Sequence, residues 1–145
     1  MRLKIEGDVK ELWKNDFSWR KNIFTYLKRR KLGSLFLRSA KMLADNPEVQ
    51  ADSLPLSEVK PPKYVERFKH IFNSVRENGY TPTEKDVITV YEKGGRYFCC
   101  DGHRRLVSIL VLGEQEKIEV SLSPRRLTGC SSPGTIFKDI KSTHA

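Results

Sequence analysis

Between Cys100 and Arg105 the chain reads Cys-Asp-Gly-His-Arg-Arg, a glycine turn followed by three nitrogen-rich side chains. The stretch falls where a β-run over 96–100 gives way to an apolar helical run over 106–112. A helix N-terminus leaves backbone N–H groups without intrahelical acceptors and carries a partial positive charge. His103, Arg104 and Arg105 at such a place make an anion pocket, and phosphate is the anion it suits best. The competing reading is plainer: Asp101 caps the helix and the basic residues are surface charge.

The elements that must position this turn are legible as periodicities. From Asp8 to Lys31, apolar residues at Val9, Leu12, Trp13, Phe17, Ile23, Phe24 and Leu27 predict an amphipathic helix with Asp8 as N-cap and Gly33 as the stop. A second helix is expected over 34–44, with Leu35, Phe36, Ala40 and Leu43 inward. Both aromatic-rich faces must pack, either on the domain that follows or on another chain. Leu54 to Val59 reads as a short strand closed by Pro61-Pro62. Tyr64 to Glu77 reads as a helix with Val65, Phe68, Ile71, Phe72 and Val75 on one face, stopped at Asn78-Gly79. A strand over 86–91, a Gly94-Gly95 hairpin and a return strand over 96–100 lead into the motif. A helix over 106–112 ending at Gly113 and a strand over 117–122 complete the expected α/β (α+β) domain.

The chain has 145 residues and a formal net charge of +9. Residues 1–50 carry 12 Lys/Arg against 6 Asp/Glu, so most of the excess is N-terminal. That bias points to an acidic partner such as DNA or another polyanion, or to solubility and counter-charge for a phosphate ligand. Lys28-Arg29-Arg30-Lys31, with Arg20 and Lys21, is the candidate nucleic-acid grip; the alternative is a solvated basic helix end. No apolar run has the length of a membrane span and no signal peptide is evident, so a cytoplasmic chain is expected. Cys99, Cys100 and Cys130 are too few for a disulfide framework and read as buried reduced thiols. The expected organisation is a basic helical N-terminal arm (1–50), a domain (51–124) and a flexible tail (125–145).

The order of these elements around Asp101-Gly102-His103-Arg104-Arg105 resembles the ParB/sulfiredoxin superfamily over roughly residues 53–122. The resemblance implies a small mixed sheet with flanking helices, holding nucleotide phosphates at the start of a helix. Gly102 would let the backbone approach them, with the His103 and Arg104 amides donating and the Arg104 guanidinium clamping. His103 would donate from its ring, and Arg105 would join the phosphate set or turn away to pair with an acid. Asp101 would orient His103, hold Mg2+, or accept a proton from a hydroxyl. The sulfiredoxin cysteine is replaced by Gly102, and too little chain follows 122 for the helix-turn-helix of partition proteins.

The motif is most similar to the Asp-Gly-His-His-Arg of free-serine kinases, which implies ATP or another nucleoside triphosphate and transfer to a hydroxyl acceptor. Their catalytic acid after the first strand has no direct counterpart; Glu58 precedes that region and Glu66 follows it, making Glu66 a candidate base. Arg125 and Arg126 are a second candidate phosphate contact, and 129–134 a loop or lid. A DNA-binding accessory protein and a non-catalytic interaction module are the alternative functions, with a homodimer through the N-terminal helices as a further expectation.

Overall fold

Leu3-Lys4-Ile5-Glu6 alternates apolar and charged residues, and an alternation of two places one set on each face of a strand. The computed structural model, which describes residues 3–18, 23–83 and 86–123, forms strand β1 there, Leu3–Asp8. β1 is followed by helices α1 (Val9–Ser18), α2 (Ile23–Asp45) and α3 (Pro62–Asn78). The hairpin β2 (Thr89–Lys93) and β3 (Arg96–Asp101), helix α4 (His103–Leu112) and strand β4 (Lys117–Leu122) complete the α+β fold. The sheet runs β1-β4-β2-β3, with β4 parallel to β2 and the other two pairings antiparallel.

Leu3, Ile5 and Gly7 stand opposite Leu122, Val120 and Ile118, so the apolar sides of β1 and β4 turn together toward the helices. The first fifty residues, expected as an arm, therefore contribute an edge strand to the sheet. They also give Val9, Leu12, Leu35 and Phe36 to the core shared with α3 and α4. Asp8 caps α1 as expected: its Oδ1 accepts the Glu11 N–H at 3.0 Å.

Gly33 does not stop a helix. α2 runs through it to Asp45, and Gly33 is buried on the same side as Phe36, Ala40 and Leu43. Its φ is not among the positive ones, so it keeps the helical conformation where a terminating glycine would turn the chain. The segment read as a strand over 54–59 is instead a pair of 3-10 turns, Ala51–Ser53 and Pro55–Glu58. Leu54 and Leu56 are buried alternately, which imitates a strand. Local bonds from Ser57 N to Leu54 O and from Val59 N to Leu56 O curl the backbone, and Ser39 Oγ accepts the buried Leu56 N–H at 2.9 Å.

Phe36 sits at the hub of the core. Its ring lies 6.0 Å from Trp13, 6.0 Å from Phe68 and 6.5 Å from Tyr64, tying α1, α2 and α3 together. The aromatic faces of the N-terminal helices thus pack on the domain itself. At their far ends α2 and α3 are joined by the Arg76 guanidinium, which donates to the Ala44 carbonyl. On the opposite sheet face Tyr91 stacks on Phe98 at 5.4 Å, and both are buried with Cys100. Cys99 and Cys100 are free thiols, one on each face, while Cys130 lies outside the described residues. Among the described residues no helix is long and apolar enough to cross a membrane.

One hydroxyl holds the loop between α3 and β2. Tyr80 donates to the Glu119 carbonyl at 2.9 Å and accepts the Ile88 N–H at 3.0 Å, while Ser121 N donates to Ile88 O. Replacing Tyr80 by Phe strands two backbone groups and should cost about 1–3 kcal/mol in urea unfolding. Burial pushes the Tyr80 and Tyr64 hydroxyls above their ordinary 10.0. The folded state thus holds those protons more tightly than the unfolded chain. Stability from this source is fully present below pH 10.0 and is lost as pH rises through the higher folded values, which alkaline urea titrations will show.

Candidate functional site

β3 ends at Asp101, and Gly102 turns the chain into α4 with φ 99 and ψ 24, a left-handed conformation that favours glycine. A second constraint acts on the same residue. A Cβ at Gly102 would lie 3.0 Å from Ile88 Cγ1 and 3.1 Å from Ile88 Cα. The turn therefore presses against the segment that Tyr80 holds, and glycine has a packing reason of its own to stand there.

The helix begins at His103, three residues earlier than its apolar run suggests. Its first intrahelical bond is Leu106 N to Gly102 O, so the amides of the preceding turn have no intrahelical acceptor. Asp101 makes no capping bond to them and is exposed at the strand end. The head of α4, the positive end of its dipole, lines a cleft of about 410 Å³. Lys60, Tyr64, Ile71, Asp101 and the four residues from Gly102 to Arg105 line it. That volume is of the size that holds a small organic ligand.

Arg104 lies with its guanidinium 4.2 Å from the centre of the Tyr64 ring, and Nη1 reaches the Tyr64 carbonyl at 3.5 Å. Lys60 Nζ stands 4.8 Å from the same ring centre. Tyr64 is thus a shelf that holds two cations at the cleft wall. The ring loses solvent in doing so, and that burial raises its hydroxyl against the opposing pull of Arg104. The phenol stays protonated at neutral pH and adds no negative charge.

Arg105 turns the other way. Its Nη2 donates to Asp86 Oδ1 at 2.9 Å, and the Asp86 backbone N–H donates in turn to Thr83 Oγ1. Arg105 and Ile71 form the ridge between the main cleft and a second hollow of about 270 Å³ along α3. His103 is half-buried at the head of α4. The main cleft is therefore cationic, with Asp101 as its one lining carboxylate among the described residues.

The structure brings together Asp101, Gly102, His103, Arg104 and Arg105, and leaves the remaining candidates elsewhere. Glu66 is exposed on α3 and does not line the cleft. At about 100° per residue it points roughly 200° around the helix from Tyr64. Glu58 is exposed in the 3-10 turn and is likewise absent from the cleft. Lys28, Arg29, Arg30 and Lys31 lie in the second and third turns of α2, near its N-terminus, so they do not complement the dipole of a helix C-terminus. Arg29 is buried, which splits the cluster. Arg20, Lys21, Arg125, Arg126 and the segment 129–134 lie outside the described residues.

Sequence reasoning missed Lys60 and Tyr64, the shelf that orients Arg104. Tyr64 had registered only as the start of a helix, and nothing local marks it as facing another helix's N-terminus.

A single Asp101 supplies too little for a protein-built cation site, and no group of three metal-ligating side chains occurs among the described residues. One carboxylate beside bound phosphates is what Mg2+ ordinarily takes, so the donor set fits that ion only together with a phosphate ligand.

Gly102→Ala combines a strained φ with a clash against Ile88, and should destabilise by roughly 1–3 kcal/mol, measured by thermal or urea unfolding. An unchanged melting curve would mean that the β3–α4 turn tolerates a Cβ after all. Comparison with protein-family models, curated proteins and solved structures returns no match.

Proposed function

We propose that the cleft binds the phosphates of ATP or another nucleoside triphosphate and passes a phosphoryl group to a hydroxyl acceptor. The observation that carries this reading is that the head of α4, Arg104 and Lys60 line one cleft. The likeness of Asp101–Arg105 to the ParB/sulfiredoxin phosphate motif supports it. Phosphoryl transfer asks chiefly for positioning and charge stabilisation, both of which such a cleft supplies.

In this reading the amides of the Gly102 turn receive phosphate oxygens. Arg104, braced on Tyr64, forms the charge-assisted clamp. Bound Mg2+ would be held by Asp101 together with the phosphates, and would offset their charge. Where it does not hold the ion, Asp101 would instead accept the acceptor's proton, a role for which Glu66 is too remote. Arg105, paired with Asp86, shapes the ridge beside the acceptor and contributes less charge.

A thermal-shift panel of ATP, ADP, CTP and GTP, each with and without Mg2+, tests binding, since a ligand of the folded state raises the melting temperature by an amount that grows with the logarithm of its concentration over Kd. Arg104→Ala should weaken the stabilising nucleotide by about 10–100-fold, the size of one or two lost charge-assisted bonds. Lys60→Gln, which removes a cation from the same shelf, should weaken it less. Asp101→Asn should keep Mg2+-free nucleotide binding, lose the added stabilisation by Mg2+, and lose transfer to a hydroxyl acceptor. A panel without any shift, or an Arg104→Ala variant of unchanged affinity, would remove the reading. Binding with no transfer in the parent chain would reduce it to a nucleotide-responsive interaction module.

A further inference from the structure

A second feature, unconnected with the cleft, is the outward side of α2. At about 3.6 residues per turn, Phe24, Leu27, Lys28, Lys31, Arg38, Lys41 and Met42 share one side of this helix, and all are exposed. The other side carries Phe36, Ala40 and Leu43 into the core, and Leu35 and Ser39, at the margin of the stripe, are buried with them. The outward stripe runs roughly 27 Å from Phe24 to Met42 at about 1.5 Å per residue.

Two properties of the stripe are unusual together. α2 contains no acidic residue before Asp45, its last. Lys28, Lys31, Arg38 and Lys41 make no ion pair with any described residue. Between these cations stand large apolar side chains: Phe24 is 75% exposed, Leu27 53% and Met42 36%. The cations call for an extended anion, and the apolar residues for a surface that removes them from water.

We propose that the outward side of α2 docks peripherally on an anionic lipid bilayer. An acidic headgroup layer meets the ammonium and guanidinium groups, while the acyl boundary just beneath it receives Phe24, Leu27 and Met42. Duplex nucleic acid would match the charges and leave those three side chains in water. A second copy of the chain would set four cations against four, so the stripe is not self-complementary. The protein lies on the surface through one face of a helix whose other face remains in the core.

Sedimentation of the full chain with vesicles of phosphatidylcholine alone, or mixed with phosphatidylserine, tests the proposal. Binding is expected only with phosphatidylserine and should fall as salt rises. Neutralising Lys28, Lys31, Arg38 and Lys41 together to Gln should weaken it by at least about tenfold. Phe24→Ser with Leu27→Ser should weaken it by at least about fivefold, with an unchanged melting curve because both side chains are already outside the core. Failure to sediment with phosphatidylserine vesicles would overturn the proposal. So would full binding by the Phe24/Leu27 variant, or retention of duplex DNA in place of lipid, which would make the stripe a phosphate-backbone grip.

Discussion

The approach of Ile88 to Gly102 is the constraint on which the site depends. No side chain fits between them, so the end of β3 can turn directly against the segment leading into β2. That segment is held in turn by the Tyr80 hydroxyl, which ties the Ile88 amide to the β4 carbonyl of Glu119. The head of α4 therefore inherits its position from three elements of the sheet layer. Its first turn lines the cleft together with Lys60 and Tyr64 from the α3 side. A loosely held turn would present the same charges with no fixed hollow between them.

The opposite wall has a separate support. Phe36 packs against Trp13, Phe68 and Tyr64, so the helices that begin the chain fix the ring on which Arg104 rests. Removing the first fifty residues would thus take away the brace beneath the clamp as well as the β1 edge strand. An arginine laid on an aromatic face has lost much of its rotamer freedom before a ligand arrives, and that ordering favours recognition of an anion. The same region carries the outward stripe of α2, so one helix orders the cleft wall with its inner face and offers a charged, partly apolar surface with its outer one.

Much of this could be read from residue order. The α3 face, the Gly94-Gly95 hairpin, the span of β4 and the left-handed stop at Gly113 follow from periods and glycines whose causes are local. The failures are tertiary. Gly33 looks like a terminator until the unbroken buried arc of α2 is seen, and Leu54-Pro55-Leu56 looks like a strand because alternate burial also arises in a 3-10 turn. β1 left a four-residue alternation, too short to weigh against the helix that follows it. Within the site, the turn and its cations were visible, whereas the Tyr64 shelf, Lys60 and the Arg105–Asp86 pair depend on helix packing. Glu66 was an inference from distance along the chain, and the rotation of α3 carries it away from the cleft.

The most direct test is a nitrogen–proton correlation spectrum of the uniformly labelled chain, titrated with ATP and separately with inorganic pyrophosphate. The account predicts that both ligands move the amides of Gly102, His103, Arg104 and Arg105 first and furthest, with Lys60 and Tyr64 following at the same concentrations. Shifts confined to the outward side of α2, or an unperturbed Gly102 turn at saturating ligand, would contradict it.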